Sequence, residues 1–213
     1  GCSFVLDRPL VIVCGCDGDE ELEELCQLET AHIITQRTKE SWHELLGRFS
    51  MSGGSEAMCR MMNGWLGYQT IACRMLGRAS IYQSGGAIGF RDQLQDSVNI
   101  ILLSPDYARS QILGACGHQY SEGDVMHWWH RHPDGDRGVR TRCSDDLSWL
   151  AWALREYTEQ TADLRICAES KCYVNSSPLA EHESSRYETP ARGSEAGTVL
   201  EHALRAAEAC VAR

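Results

Sequence analysis

Carboxylates, amides and an arginine crowd into one short stretch that follows three glycines. The run YQSGGAIGFRDQLQD contains Arg91, Asp92, Gln95 and Asp96, and the two Asp residues, four positions apart, share one face of a helix. Such groups supply the donors and acceptors that the hydroxyls of a sugar need. The alternative is a helix N-terminus stabilised by an Arg–Asp ion pair, and the residue pattern leaves both interpretations open.

Two adjacent tryptophans mark a second stretch, GDVMHWWHRH, in a polar and Gly-rich region. Trp128 and Trp129 either stack on pyranose rings, since exposed apolar surface of this size usually has a purpose, or fill the core beneath a loop. His127 beside them can bind hydroxyls or phosphate. A metal centre of His127, His130 and His132 matches no ligand spacing of known zinc motifs, so no metal is predicted.

Three arginines lead into an acidic helix start in the run RGVRTRCSDDLSWL, which begins at Arg137. Arg140 and its neighbours either form an anion site or neutralise acids such as Asp145 and Asp146. Ser144 is expected to cap the helix, because its hydroxyl can accept an N-terminal amide and the two Asp residues follow in the first turn.

The composition excludes several classes of protein. The 213 residues include 20 Lys+Arg and 30 Asp+Glu, which gives a net charge of −10 and argues against binding to nucleic acid. No stretch approaches the ~20 apolar residues of a membrane span, so no membrane contact is predicted for this segment. The eleven cysteines are odd in number and fit no zinc motif, which favours a reducing, cytoplasmic setting.

The secondary-structure elements that must position these residues are predicted to be mostly α-helices. A short strand is expected within residues 3–13 and a helical pattern begins at Asp19. Further helices are expected over residues 38–49, 56–76, 90–103, 105–118, 145–158 and 198–213. Residues 121–142 and 170–196 are expected to be loops, and because no strands alternate with the helices, a parallel α/β sheet is excluded.

The three runs together resemble the inverting phosphorylases of glycoside hydrolase family 94, and most of all the phosphorylase domain of the cyclic β-1,2-glucan synthases. The runs NGWLGYQTIACRMLGR and LEHALRAAEA are similar to that family as well. The resemblance implies an (α/α)6 barrel of which residues 51–213 are the first, truncated half. Residues 1–16 are then a strand remnant of an N-terminal β-sandwich, and residues 17–50 are linker helices.

The resemblance also implies a reaction. Inorganic phosphate, as co-substrate, attacks the anomeric carbon of a β-glucoside and releases α-glucose 1-phosphate with inversion. The protein then supplies one general acid and needs no cofactor. The implied partners are phosphate and a β-glucan or β-linked gluco-oligosaccharide, in a larger multidomain protein or a homodimer. The resemblance implies a location in the cytoplasm or in the cytosolic domain of a membrane-bound synthase.

Site residues follow from the motifs of the resemblance. The residues expected to bind sugar are Arg91, Asp92, Gln95, His127, Trp128, Asp145 and Asp146, and those expected to bind phosphate are Arg78 and Arg140. The family's general acid is expected beyond Arg213, in a Trp-Asn-Asp-Gly run, so the chain alone is expected to be inactive. The alternative is a non-catalytic glucan-binding protein or a degenerate remnant.

Overall fold

The computed structural model describes residues 9–13, 19–77 and 86–212, and it divides into two compact units, residues 1–48 and 49–213. The described residues of the first unit form two helices, α1 (Asp19–Leu25) and α2 (Leu28–Leu46). The helix predicted from residue 38 is the second half of α2, because neither Gly nor Pro interrupts the chain there.

The predicted first strand is not seen where it can be checked. Residues 9–13 have no regular secondary structure, and residues 3–8 lie outside the described part of the chain. The strand remnant of a β-sandwich therefore stays a prediction.

The second unit begins with the predicted long helical segment. It consists of α3 (Glu56–Arg60), a π-helical stretch (Met61–Trp65), α4 (Leu66–Tyr68) and a second π-helical stretch (Gln69–Leu76). Ser55 starts the segment, and its hydroxyl accepts the amide of Met58 at 3.2 Å. The predicted apolar side is buried at Ile71 and Met75 but exposed at Met58, Met61, Met62, Trp65 and Tyr68.

Four more helices pack around one core. They are α5 (Phe90–Asn99), α6 (Pro105–Cys116), α7 (Asp145–Thr161) and α8 (Val199–Val211). The core includes Phe90 and Leu94 of α5, Ile112 of α6 and Leu150 of α7. The described helices include none whose length and apolar content would let it span a lipid bilayer.

The starts of α7 and α8 differ in how they are capped. Thr198 and Glu201 form a reciprocal capping box at α8, in which each side chain accepts an amide of the other residue's backbone. Ser144 precedes α7, but its side chain makes no capping hydrogen bond and its backbone is already helical. The prediction that the Ser144 hydroxyl caps α7 is therefore wrong. The helix start keeps Asp145 and Asp146 in its first turn.

The stretches predicted as loops contain most of the strands. One antiparallel sheet has the order β1 (Ile88–Gly89), β2 (Met126–His130), β3 (Arg137–Thr141) and β5 (Ser185–Glu188). A second pairs β4 (Ser170–Asn175) with β6 (Ala191–Thr198), next to a 3-10 helix (Leu164–Ala168). These strands carry Arg, Ser, Gly and Glu, so they lack the alternation of β-branched residues that identifies a strand in a sequence.

Helices remain the main secondary structure, and the predicted mostly α class is confirmed at that coarse level. The (α/α)6 barrel, and the predicted division at residues 16 and 50, stay predictions.

Candidate functional site

The first turns of α5 and α7 lie at the same end of the four-stranded sheet. β1 and β3 are both antiparallel to β2, so they run in the same direction; β1 enters α5 directly and β3 reaches α7 after three residues. An ion pair joins the two turns, with Arg91 Nη1 at 2.6 Å from Asp145 Oδ2. The same guanidinium lies 5.1 Å from the ring centroid of Trp149. The fold thus brings together two predicted residues that are far apart in the sequence.

Asp92 presents an accessible carboxylate beside this ion pair. Its side chain is 53% exposed and lies 4.0 Å from the guanidinium of Arg74, on the second π-helical stretch. Arg74 Nε also contacts Asp96 Oδ2 at 3.1 Å, and Asp96 is buried. Gln95 is half-buried on the same helix. Of the two acids on this face, Asp96 anchors Arg74, while Asp92 is placed to meet a ligand.

His127 is held by a buried acid. Its Nδ1 lies 2.7 Å from Asp146 Oδ2, and the Asp146 side chain is 2% exposed. This hydrogen bond raises the pKa of His127 above the usual value of a histidine; the charges of Asp92 and Asp145 add to it, and partial burial opposes it. With Nδ1 fixed by Asp146, Nε2 is the nitrogen positioned to donate to a ligand oxygen.

The remaining oxygen of Asp146 raises the question of a metal. Oδ1 is buried and finds no hydrogen-bond partner in the described part of the chain. Ligand atoms of His127, Cys143 and Asp146 all lie within 4.8 Å of one another. However, the Cys143 thiol lies 3.0 Å from Asp145 Oδ1, and this hydrogen bond raises the pKa of Cys143 and lowers that of Asp145. A protonated thiol is not the form that binds metals, so this geometry does not favour an ion here.

The other two histidines of the HWWHRH run do not join His127 in a metal centre. His132 lies 3.5 Å from Asp134, and His130 packs edge-on against Trp128. The expectation of no metal in this chain stays a prediction.

The two tryptophans have different roles, one for each of the alternatives that the sequence left open. Trp129 is 5% exposed and stacks on His118 with the ring centroids 3.7 Å apart, so it belongs to the core. Trp128 is half-buried on the opposite face of β2, with its ring centroid 5.8 Å from that of Tyr187. Trp128 is therefore the tryptophan of the pair that the core does not hold.

Arg140 is a structural residue in this fold. It is 1% exposed, its Nε and Nη2 each lie 2.7 Å from an oxygen of Asp124, and its guanidinium lies 3.8 Å from the ring centroid of Tyr120. Nη1 donates to Ser176 and Nη2 also to Glu122. Because every guanidinium nitrogen has a protein partner, the prediction that Arg140 binds phosphate is not supported and is corrected to a structural role.

The second residue predicted to bind phosphate, Arg78, lies outside the described residues.

Three residues of the cluster were not predicted from the sequence. Trp149 follows Asp145 by one helical turn, which is a usable signal for a shared partner. Arg74 and Cys143 have no such signal in the sequence, because their contacts depend on tertiary packing.

A separate cavity of about 620 Å³ lies on the other side of β1 and β2. Its polar lining includes Gln111, His118, His130 and Asp136, with Trp129 as its largest aromatic wall. Asp92, His127 and Asp146 are not among the described residues that line it, so the cavity is distinct from the cluster around Asp92.

Comparison with known proteins gives a consistent set of relatives. The family model of the glycosyl hydrolase 94 superfamily, catalytic domain, matches residues 41–212. The chain is 38% identical over 192 residues to cyclic beta-(1,2)-glucan synthase NdvB of Rhizobium meliloti (strain 1021). The aligned residues cover 90% of this chain and 7% of that protein. It is 25% identical over 179 residues to N,N'-diacetylchitobiose phosphorylase of Vibrio furnissii, covering 72% of this chain and 22% of that protein.

A further similar protein is solabiose phosphorylase of Paenibacillus borealis, 27% identical over 149 residues, covering 68% of this chain and 15% of that protein. The chain therefore spans less than a quarter of the length of each of these three curated relatives.

Proposed function

The chain belongs to the glycosyl hydrolase 94 superfamily, and on that premise we propose that it contributes the sugar-binding part of a glycoside phosphorylase site. The substrates are a β-glucan or β-linked gluco-oligosaccharide and inorganic phosphate, and the product is α-glucose 1-phosphate, formed with inversion. The observation that carries this proposal is the meeting of Arg91, Asp92, His127 and Asp145 at one end of the sheet.

Each of these groups has a part in binding. The half-exposed carboxylate of Asp92 accepts hydrogen bonds from hydroxyls of the glucose that is transferred. Arg91, fixed by Asp145 and by the face of Trp149, offers its remaining N–H groups to the same sugar. His127, fixed by Asp146, donates from Nε2 to a sugar hydroxyl or to phosphate, and its raised pKa favours the charged form that attracts an anion.

The reaction also needs a proton. A phosphate oxygen forms a bond to the anomeric carbon while the glycosidic C–O bond breaks, and the leaving oxygen takes a proton from a general acid. The hydrogen bond from Cys143, and then the charge of Arg91, lower the pKa of Asp145 and favour its ionised form, so Asp145 is unsuited to that task. We assign no carboxylate of the described cluster as the acid and propose that another part of the catalytic domain provides it.

The setting is proposed to be the cytoplasm. The described cysteines are free thiols, which is the usual state in a reducing compartment.

The experiment is an assay of the natural protein that carries this chain. β-1,2-linked gluco-oligosaccharides are incubated with phosphate, and α-glucose 1-phosphate is measured with a coupled enzyme assay. Asp92→Ala is expected to reduce product formation about 10- to 100-fold, because a charged hydrogen-bonding group in the sugar site is lost. Asp134→Ala, at an exposed acid on the β2–β3 turn, is the matched control and should leave the rate unchanged.

Two results would contradict the proposal. Release of free glucose from the oligosaccharides in the absence of phosphate would show hydrolysis and would exclude a phosphorylase. Binding of the oligosaccharides without any turnover would favour the non-catalytic glucan-binding alternative.

A further inference from the structure

One face of the four-stranded sheet carries a row of aromatic side chains that the core does not use. The pairing register places Gly89, Trp128, Val139 and Tyr187 opposite one another on successive strands, and therefore on the same face. Tyr187 is 58% exposed and leans over Val139 towards Trp128, with the ring centroids 5.8 Å apart. Thr141 and Ser185, the next pair on this face, add two hydroxyls.

The opposite face of the same sheet is the one that packs on the core. Its row contains Ile88, Trp129 and Gly138, all of which are buried. The aromatic row is thus not held in place by burial, and the Tyr187 ring and part of the Trp128 ring remain accessible.

The row starts at the cluster around Asp92. A Cβ atom on Gly89 would lie 2.6 Å from Asp92 Oδ2, so the Asp92 carboxylate occupies the space over Gly89. Gly89 is paired with Trp128, and the row continues over β3 to Tyr187 on β5. Three strand spacings separate β1 from β5, about 14 Å in all, which leaves room for more than one pyranose ring beyond Asp92.

We propose that Trp128 and Tyr187 form an additional glucan subsite, which binds the sugar units next to the unit held at Asp92. The inference rests on the proposed function, since it takes the Asp92 cluster as the place where the chain end is bound. The C–H faces of glucose units pack on the indole and phenol rings, and the hydroxyls of Thr141, Ser185 and Tyr187 exchange hydrogen bonds with those of the glucan.

The side chains on this face favour a sugar over a protein partner. The aromatic rings stand among polar side chains, with Thr141 and Ser185 on one side and His130 and Arg137 on the other, and Val139 is the single aliphatic residue of the row. A protein interface of similar extent would need a more continuous apolar centre. A neutral polyhydroxylated chain matches aromatic faces that alternate with hydroxyls.

The test is a binding titration of the full 213-residue chain with β-1,2-linked gluco-oligosaccharides of two and five units. The pentasaccharide is expected to bind more tightly than the disaccharide. Tyr187→Ala should weaken binding of the pentasaccharide about tenfold and leave binding of the disaccharide unchanged. Tyr187→Phe should keep most of the affinity for the pentasaccharide, because the ring remains. Trp65→Ala, at another exposed aromatic residue, is the control and should change neither affinity.

Asp92→Ala separates this inference from the proposed function. If Asp92→Ala weakens both oligosaccharides and Tyr187→Ala weakens the longer one only, both are supported. If Tyr187→Ala removes the length effect and Asp92→Ala has no effect, the subsite is supported and the proposed sugar site is wrong.

Equal affinities of the wild-type chain for the two oligosaccharides would overturn the inference, as would an unchanged length effect in Tyr187→Ala. The inference is also overturned if Tyr187→Ala dissociates a dimer in sedimentation while the pentasaccharide affinity stays the same. The face would then be an interface between two copies of the chain.

Discussion

His127 Nδ1 and Asp146 Oδ2 lie 2.7 Å apart and link β2 to the first turn of α7. The Asp146 carboxylate is buried and the imidazole is partly exposed, so the acid serves to orient and charge the ring rather than to meet a ligand itself. The electrostatics of the site therefore depend on the placement of a helix against a sheet strand.

Asp146→Asn is expected to lower the pKa of His127, because the acid's hydrogen bond and charge are what raise it. A titration of His127 followed by NMR measures the shift directly. Asp134→Asn, next to the exposed His132, is the control and should leave the His127 titration unchanged.

The same pair gives a pH dependence of stability. The folded pKa of His127 is raised, so the folded state binds its proton more tightly than the unfolded chain does. The stabilisation is fully present below the unfolded pKa of about 6.5 and is lost as the pH rises through the folded pKa. The difference in unfolding free energy between wild type and Asp146→Asn should thus shrink from mildly acid to alkaline pH; a constant difference would contradict this role.

Gly89→Ala is expected to displace the Asp92 carboxylate, because the new methyl group would lie 2.6 Å from Asp92 Oδ2. Sugar affinity should fall about tenfold or more, since a charged hydrogen bond loses its geometry, while the melting temperature changes little. Gly64→Ala, where nothing lies within 4 Å, is the matched control and should keep full affinity. Calorimetric titration and thermal melting provide the two readouts, and unchanged affinity in Gly89→Ala would show that Asp92 is not positioned by this contact.

The sequence revealed the parts of the site that depend on local patterns. The start of α5 was predictable because glycines precede a helical run, and the first turn of α7 because two acids begin it. The ion pair between Arg91 and Asp145 was not predictable, because it depends on how the sheet brings two distant turns together.

The strands were missed for a different reason. Trp128, Val139 and Tyr187 share a face, but each is separated from the others in sequence and flanked by Arg, Gly or His. Strand signals read along the chain require alternation within one segment, whereas these residues form an apolar row across three segments.

Arg140→Met should destabilise the fold by about 3–5 kcal/mol, because the buried Asp124 carboxylate would lose its ion pair with Arg140. Arg142→Met removes hydrogen bonds to exposed carbonyls only and should cost less than about 1 kcal/mol. Urea denaturation of both variants measures the difference. Adding Asp124→Asn to Arg140→Met should restore part of the stability, and a variant as stable as wild type would contradict the structural role of Arg140.

Cys116 and Cys73 should differ sharply in their reactivity towards iodoacetamide at pH 8. Burial raises the pKa of Cys116 to about 12, and the side chain is fully enclosed, so neither the thiolate nor access for the reagent is available in the folded state. Cys73 is exposed on the second π-helical stretch and should be modified quickly. Peptide mass spectrometry after timed labelling distinguishes the two sites, and unfolding in urea is expected to remove the protection of Cys116. Equal labelling of both thiols in the native protein would mean that the core around α6 opens readily.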